Sequence, residues 1–241
     1  MHVFRVRRLL SVLAVLMSAM LLAACGSQSK PDVRTMTLTL VRHAQSEANA
    51  NDIASTTVPG PPLTPDGVAQ AEKMANELSA MQYDGIYASQ MLRTQQTAAP
   101  LAKALGEQVT VLSGLNEISA GWFEGMSMSD TSGTYMLGPL NWLKGDRRFG
   151  IPGSVNGDQF NEAFTDAVQK IFDSGQEKPI AVSSGFAIMM WTLMNARNGN
   201  QNLLTDHPLP NGAKVVLTGN PIIGWTLQEW DGITNFTVAA A

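Results

Sequence analysis

Residues Thr35 to Val41 alternate threonine with Met36, Leu38 and Leu40, then run straight into Arg42-His43. A β-prone stretch of this kind predicts a buried first strand that delivers a cation and an imidazole at its carboxyl end. Beyond it, helices and strands alternate. Thr64-Pro65 starts a helix with Val68, Ala71, Met74, Ala75 and Leu78 on one face, Thr64 as N-cap and Pro65 as first helical residue. Gly85–Ala88 reads as a strand, 93–105 as a helix, 109–112 as a strand and 160–172 as a helix. Pro179–Ser183 is a strand leading into an apolar helix over 186–194, and Lys214–Thr218 and Trp225–Trp230 are late strands joined by a Gly219-Asn220-Pro221 turn. The alternation predicts an α/β fold, a three-layer sandwich with a largely parallel central sheet flanked by helices. Polar candidates stand just after strand ends: Arg42 and His43, then Ser89 and Arg93, then Ser184. Open α/β sheets place ligands at those ends.

The amino terminus predicts export. Arg5, Arg7 and Arg8 precede an apolar run from Leu9 to Leu22, and small residues lead to Cys25, the one cysteine in the chain. That layout is a secretory signal over residues 1–24, too short for a permanent span of roughly 20 apolar residues. With one cysteine no internal disulfide forms. The Leu22-Ala23-Ala24-Cys25 stretch resembles a bacterial lipobox, which implies lipidation of Cys25, a tether over 25–34, and a place on the extracytoplasmic face of the cell-envelope membrane. The remaining domain is expected over 35–241. Loss of the signal removes three of 16 basic residues and none of the 20 acidic ones, leaving 13 against 20. No basic block is present to neutralise a row of phosphates, so nucleic acid is not an expected partner. An anionic substrate then needs a local positive pocket. Oligomeric state is not legible here.

Between Gly125 and Gly157 the periodicity breaks. The segment holds Met126, Met128, Tyr135, Met136, Leu140, Trp142 and five further glycines, and its length predicts a cap insertion, with a satellite core as the alternative. As a cap, Trp122, Phe123, Tyr135 and Trp142 would favour an apolar or aromatic leaving group, with Lys144, Arg147 and Arg148 meeting anions at the rim.

Arg42-His43 has companions: Asn49, the 63–71 helix start, Ser89 with Arg93-Thr94 and Thr97, and Leu115-Asn116-Glu117 followed by Gly121, Glu124 and Gly125. Together they resemble the histidine phosphatase superfamily, the group that includes cofactor-dependent phosphoglycerate mutases, over about residues 37–232. The resemblance implies a phosphoglycerate mutase-like fold and phosphomonoester hydrolysis through a phosphohistidine on His43. It implies that Arg42 and Arg93 hold the phosphoryl oxygens, that Asn49 adds an uncharged donor, and that Glu117 is the acid. Small phosphorylated molecules are the expected partners, and neither a metal nor a cofactor is called for.

One group departs from the family pattern. Where a second histidine is expected after the fourth strand, the chain reads Ser183-Ser184-Gly185. Ser184 is then the expected phosphate contact, a short hydroxyl with no charge. Losing a donor that tightens in the transition state costs roughly 10²–10³ in rate. Of the chain's three histidines, His2 falls in the signal and His207 in a late loop. Three readings stay open: a slow or specialised phosphatase, with His207 filling the role or not; a phosphate- or phospho-ligand-binding envelope lipoprotein without turnover; and a structural or mutase role.

Overall fold

The computed structural model describes residues 33–236. The expected signal, Cys25 and nearly all of the tether lie outside them. Six strands form one sheet in the order β3-β2-β4-β1-β5-β6, with β1 Met36–Arg42, β2 Gly85–Ala88, β3 Val109–Val111, β4 Pro179–Ser183, β5 Lys214–Asn220 and β6 Gly224–Trp230. β1 to β4 are mutually parallel, β5 pairs antiparallel with β1, and β6 pairs antiparallel with β5. The α-helices are α1 Glu47–Ala50, α2 Pro65–Leu78, α3 Leu92–Leu105, α4 Met128–Tyr135, α5 Leu137–Leu143, α6 Gly157–Asp173, α7 Gly185–Asn195 and α8 Leu203–Asp206.

The sheet divides two cores. Met36, Leu38 and Leu40 of β1 join Phe160 and Phe164 of α6 and Ile188 and Trp191 of α7 on one side. Val41, Ile86, Ala88, Ile180 and Val182 meet Ala75 and Leu78 of α2 and Ala98 and Leu101 of α3 on the other. Strands covered on both faces read as near-continuous apolar runs, as β4 does, with all five residues buried. The α/β expectation holds: four parallel strands bring their carboxyl ends to one edge.

Two local expectations change. Val68 is 45% exposed, because α2 turns Gly67, Ala71, Ala75 and Leu78 inward instead. A Cβ at Gly67 would lie 1.9 Å from the Gln45 carbonyl oxygen, so close approach of helix to loop sets the inward face. The β5–β6 connection lies two residues later than expected. Gly219 and Asn220 extend β5, and the Asn220 side chain accepts from the Ile222 and Ile223 amides at 2.8 Å each, closing the turn over 221–223.

The 125–157 segment divides between the two expectations. Its α4 and the start of α5 wall a cavity at the carboxyl ends of the strands. Trp142 instead stacks on Phe160 with ring centroids 5.8 Å apart, donates to the Phe149 carbonyl at 2.6 Å and belongs to the main core. Asp52 pins the segment's start, accepting from the Ser127 and Ser129 hydroxyls at 2.7 Å.

Candidate active site

Arg42 ends β1 opposite Ser183 of β4, and the His43 amide continues that ladder by donating to the Ser183 carbonyl at 2.9 Å. The two polar groups therefore leave the sheet at the β1/β4 junction. The loop after them is tied down from three sides. The Ala44 amide donates to Thr97 of α3 at 3.0 Å, and the Gln45 amide to Gln70 of α2 at 2.9 Å. Asn211, from the loop after α8, donates to the His43 carbonyl at 2.9 Å. Nothing in the periodicity of the sequence marks Asn211.

The His43 ring is buried. Its Nδ1 lies 2.7 Å from the Ala44 carbonyl oxygen and so carries the hydrogen, while Nε2 accepts from Arg93 Nε at 2.9 Å. This assignment leaves the reactive lone pair on Nε2. Desolvation, helped by the Arg93 charge, pushes the imidazole well below its ordinary pKa, against the Ala44 bond. A neutral ring is the nucleophilic form.

Arg93 is the second residue of α3 and is buried. Burial lowers its pKa, opposed by Glu117 and Glu124, and Arg42 is shifted the same way by burial against Glu117. Arginine nonetheless stays charged at any relevant pH. Arg42 donates to the Leu209 carbonyl and lies across the start of α7, where a Cβ at residue 185 would come within 2.7 Å of its Cδ. Gly185 is what permits that crossing. Among the described residues, Arg42 Nε and Arg93 Nη1 are buried without a partner. An unpaired buried donor costs about 1–3 kcal/mol, and a phosphoryl oxygen removes that cost.

Glu117 sits at the amino end of α7. Its Oε1 accepts from the Ala187 amide at 2.9 Å and the Ile118 amide at 2.8 Å, and Oε2 from the Phe186 amide at 3.4 Å. Ser184, the N-cap residue, makes no side-chain cap bond, so the carboxylate serves in its place. Desolvation raises the Glu117 pKa, opposed first by the Ile118 amide and then by Arg93 and Arg42.

Arg42, His43, Asn49, Arg93 and Glu117 line one cavity of about 300 Å³. Asn49 has a second duty, closing a capping box with Ser46 and accepting from Asn211 at 3.1 Å. Ser184, expected at the phosphate, lies elsewhere, and the open alternatives for Ser89 and His207 resolve away from the site. Ser184 is fully buried and outside the cavity wall, its hydroxyl 3.4 Å from Arg93 Nη2, because the turn into α7 points a short side chain beneath the guanidinium. Ser89 is buried and bonded to Thr94 and the Met91 amide, a helix-start role. His207 is exposed on a separate cavity beside Asn198 and Asp206. Trp122 is 78% exposed and does not line the site, nor do Trp142, Lys144, Arg147 or Arg148. Among the described residues, no group of three or more His, Cys, Asp or Glu could hold a metal.

The histidine phosphatase superfamily (branch 1) model matches residues 38–231. The chain belongs to that superfamily. The chain is 46% identical over 219 residues to a PE-PGRS family protein of Mycobacterium tuberculosis, covering 83% of this chain but only 37% of that longer protein. It is 34% identical over 107 residues to phosphoserine phosphatase 1 of Hydrogenobacter thermophilus, covering 44% of this chain and 50% of the relative. Mycobacterial glucosyl-3-phosphoglycerate phosphatase superposes with a TM-score of 0.69 at 20% identity, covering 83% of this chain and all of that one. Phosphoserine phosphatase of Entamoeba histolytica, bound to 3-phosphoglyceric acid, gives 0.65 at 20% identity, covering 82% and 98%. The superposed structures match in fold, a mostly parallel sheet with flanking helices.

Proposed function

We propose that this histidine phosphatase superfamily member hydrolyses phosphomonoesters through a phosphohistidine on His43. The observation that carries the reading is the placement of the buried His43 ring, Nδ1 against the Ala44 carbonyl and Nε2 turned to Arg93, in one cavity with Arg42 and Glu117. Nε2 attacks phosphorus, the ester P–O bond breaks, and Glu117 gives its proton to the departing alkoxide. Water then attacks the phosphohistidine, Glu117 takes the water's proton, and inorganic phosphate leaves. Arg93 exchanges its bond to Nε2 for phosphoryl oxygens as the ester enters. Phosphatase activity of the purified protein on phosphomonoesters, and its loss in His43→Ala, tests the reading. Phosphate binding with no turnover in either form would favour a binding protein instead.

The pH profile follows from the two shifts. A lowered His43 pKa keeps the nucleophile neutral further into the acid range. A raised Glu117 pKa keeps the acid protonated further upward. Turnover of alkyl phosphates is therefore expected to persist further into acid than an ordinary imidazole allows and to fall as rising pH deprotonates Glu117. Glu117→Gln should lower alkyl ester turnover by about 10²–10³ and remove that alkaline limb. In kcat/KM, which excludes the later hydrolysis of the phosphohistidine, an ester with a good phenolic leaving group should lose far less, and an equal kcat/KM loss on both esters would reject the proton-donor role.

Ser184 stands where the resemblance places a histidine. Its burial and its 3.4 Å separation from Arg93 Nη2 support a role beneath the guanidinium, not on the phosphoryl group. Ser184→Ala is accordingly expected to change kcat by less than about fivefold, as one weak hydrogen bond would. Ser184→His should raise kcat at least about tenfold by adding a charge-capable donor, while the larger ring lowers stability by about 1–3 kcal/mol. A large loss in Ser184→Ala would show that the hydroxyl itself serves the reaction.

We also propose that the mature chain is lipid-anchored through Cys25 in the cell envelope. The basic start, the short apolar run and the small residues before that lone cysteine support this. Mass spectrometry of the mature amino-terminal peptide should find acylated Cys25; an unmodified peptide beginning elsewhere would reject it.

A further inference from the structure

Beyond the phosphate corner, the cavity offers little to a polar leaving group. Its acidic and basic lining residues are Arg42, His43, Arg93 and Glu117, all engaged in the phosphoryl chemistry. Of the four hydroxyls in its wall, those of Ser46, Thr56 and Tyr135 are already committed, and Ser55 alone makes no hydrogen bond among the described residues. Ser46 donates to Asn49 at 3.1 Å, Thr56 bonds Glu124 and accepts from the Ala120 amide, and Tyr135 donates to the Ile118 carbonyl at 2.8 Å. The same cavity is lined by Ile53, Met128, Met136, Phe186, Met189 and Leu204. Three of these six are methionines, whose unbranched side chains adapt to apolar groups of varied shape. The apolar wall also continues outward. Ile53 lines the cavity and is 40% exposed, and Leu137, next to Met136, is 49% exposed.

We propose that the site takes phosphomonoesters of apolar, uncharged alcohols, whose alkyl, prenyl or aryl chain lies along the methionine-rich wall. This rests on the phosphohistidine reading of the same site and narrows it. A carboxylate, an ammonium or several hydroxyls on the alcohol would be buried there largely without partners, which costs free energy. The bond made and the bond broken are unchanged; only the alcohol released is specified.

Non-hydrolysable alkylphosphonates test this without requiring turnover. Affinities of methyl-, butyl- and hexylphosphonate are measured by calorimetry, beside inorganic phosphate and 2-amino-3-phosphonopropionate. Full burial of a methylene, about 0.8 kcal/mol, corresponds to about fourfold in affinity. The open side of the cavity reduces this, so the series should tighten about two- to fourfold per methylene. The amino-acid phosphonate should bind more weakly than butylphosphonate. Met136→Gln should flatten the slope and Met136→Leu should keep it. Phosphate and methylphosphonate binding with no gain along the series, or tighter binding of the amino-acid phosphonate, would overturn the apolar assignment and leave the phosphate site standing. Failure of inorganic phosphate and every phosphonate to bind would overturn both.

Discussion

Replacing His43 by alanine is expected to reduce phosphomonoester turnover by about 10⁴-fold or more, the scale on which removal of a covalent nucleophile falls. The cavity holds no second imidazole, since His207 lies on another cavity. The change is local. Among the described residues, the His43 side chain bonds only the Ala44 carbonyl and Arg93, while its backbone stays fixed by Ser183 and Asn211. A thermal melt near that of the parent protein, together with lost turnover, separates chemistry from folding. Turnover within tenfold of the parent would mean that another group attacks phosphorus.

Arg93→Ala carries the second-largest effect. The guanidinium is buried, donates to His43 Nε2 and reaches Ser184, so no neighbouring water can simply replace it. Truncating one partner of a desolvated charge pair costs about 2–5 kcal/mol, or roughly 10²–10⁴ in kcat/KM for a dianionic ester. A second readout separates phosphate binding from mere packing. The Arg93 charge helps hold the His43 pKa down, so the acid limb of the rate profile should move to higher pH in Arg93→Ala. Arg93→Lys retains a charge but not the planar fork and should fall between the two. An alanine variant with full phosphate affinity and an unmoved acid limb would displace Arg93 from the site.

The fold was legible because its strands are short, apolar and separated by helices with clear starts. Thr64 caps α2 as its sequence predicts, accepting from the Gly67 amide at 2.9 Å. The central site residues were legible for a related reason: Arg42, His43 and Arg93 follow strand ends, which parallel pairing brings to one edge. Helix facing was harder to read, since the contact of Gly67 with the Gln45 carbonyl rotates α2 away from the hydropathy pattern at Val68. The 125–157 segment misled in part because hydropathy cannot tell a cavity wall from a core. Met128, Tyr135 and Met136 line the cavity, whereas Trp142 joins the main core. Ser184 shows a further limit. Its position in the chain was readable, but its depth beneath Arg93 is a tertiary fact. Glu117 doubles as the cap of α7 for the same reason, a contact across 70 positions between its carboxylate and the Ala187 amide.

The most direct measurement is to trap the intermediate. The Glu117→Gln variant, turning over an aryl phosphate that needs little leaving-group protonation, should accumulate phosphoenzyme because activation of water is then slow. Quenching in alkali preserves the acid-labile P–N bond, and mass spectrometry of the digest locates the phosphoryl group. A phosphohistidine mechanism places it on His43, bonded to Nε2, since Nδ1 is held by the Ala44 carbonyl, with none in the His43→Ala background. Steady turnover with unmodified His43 throughout, or a phosphoryl group on any other residue, would contradict it.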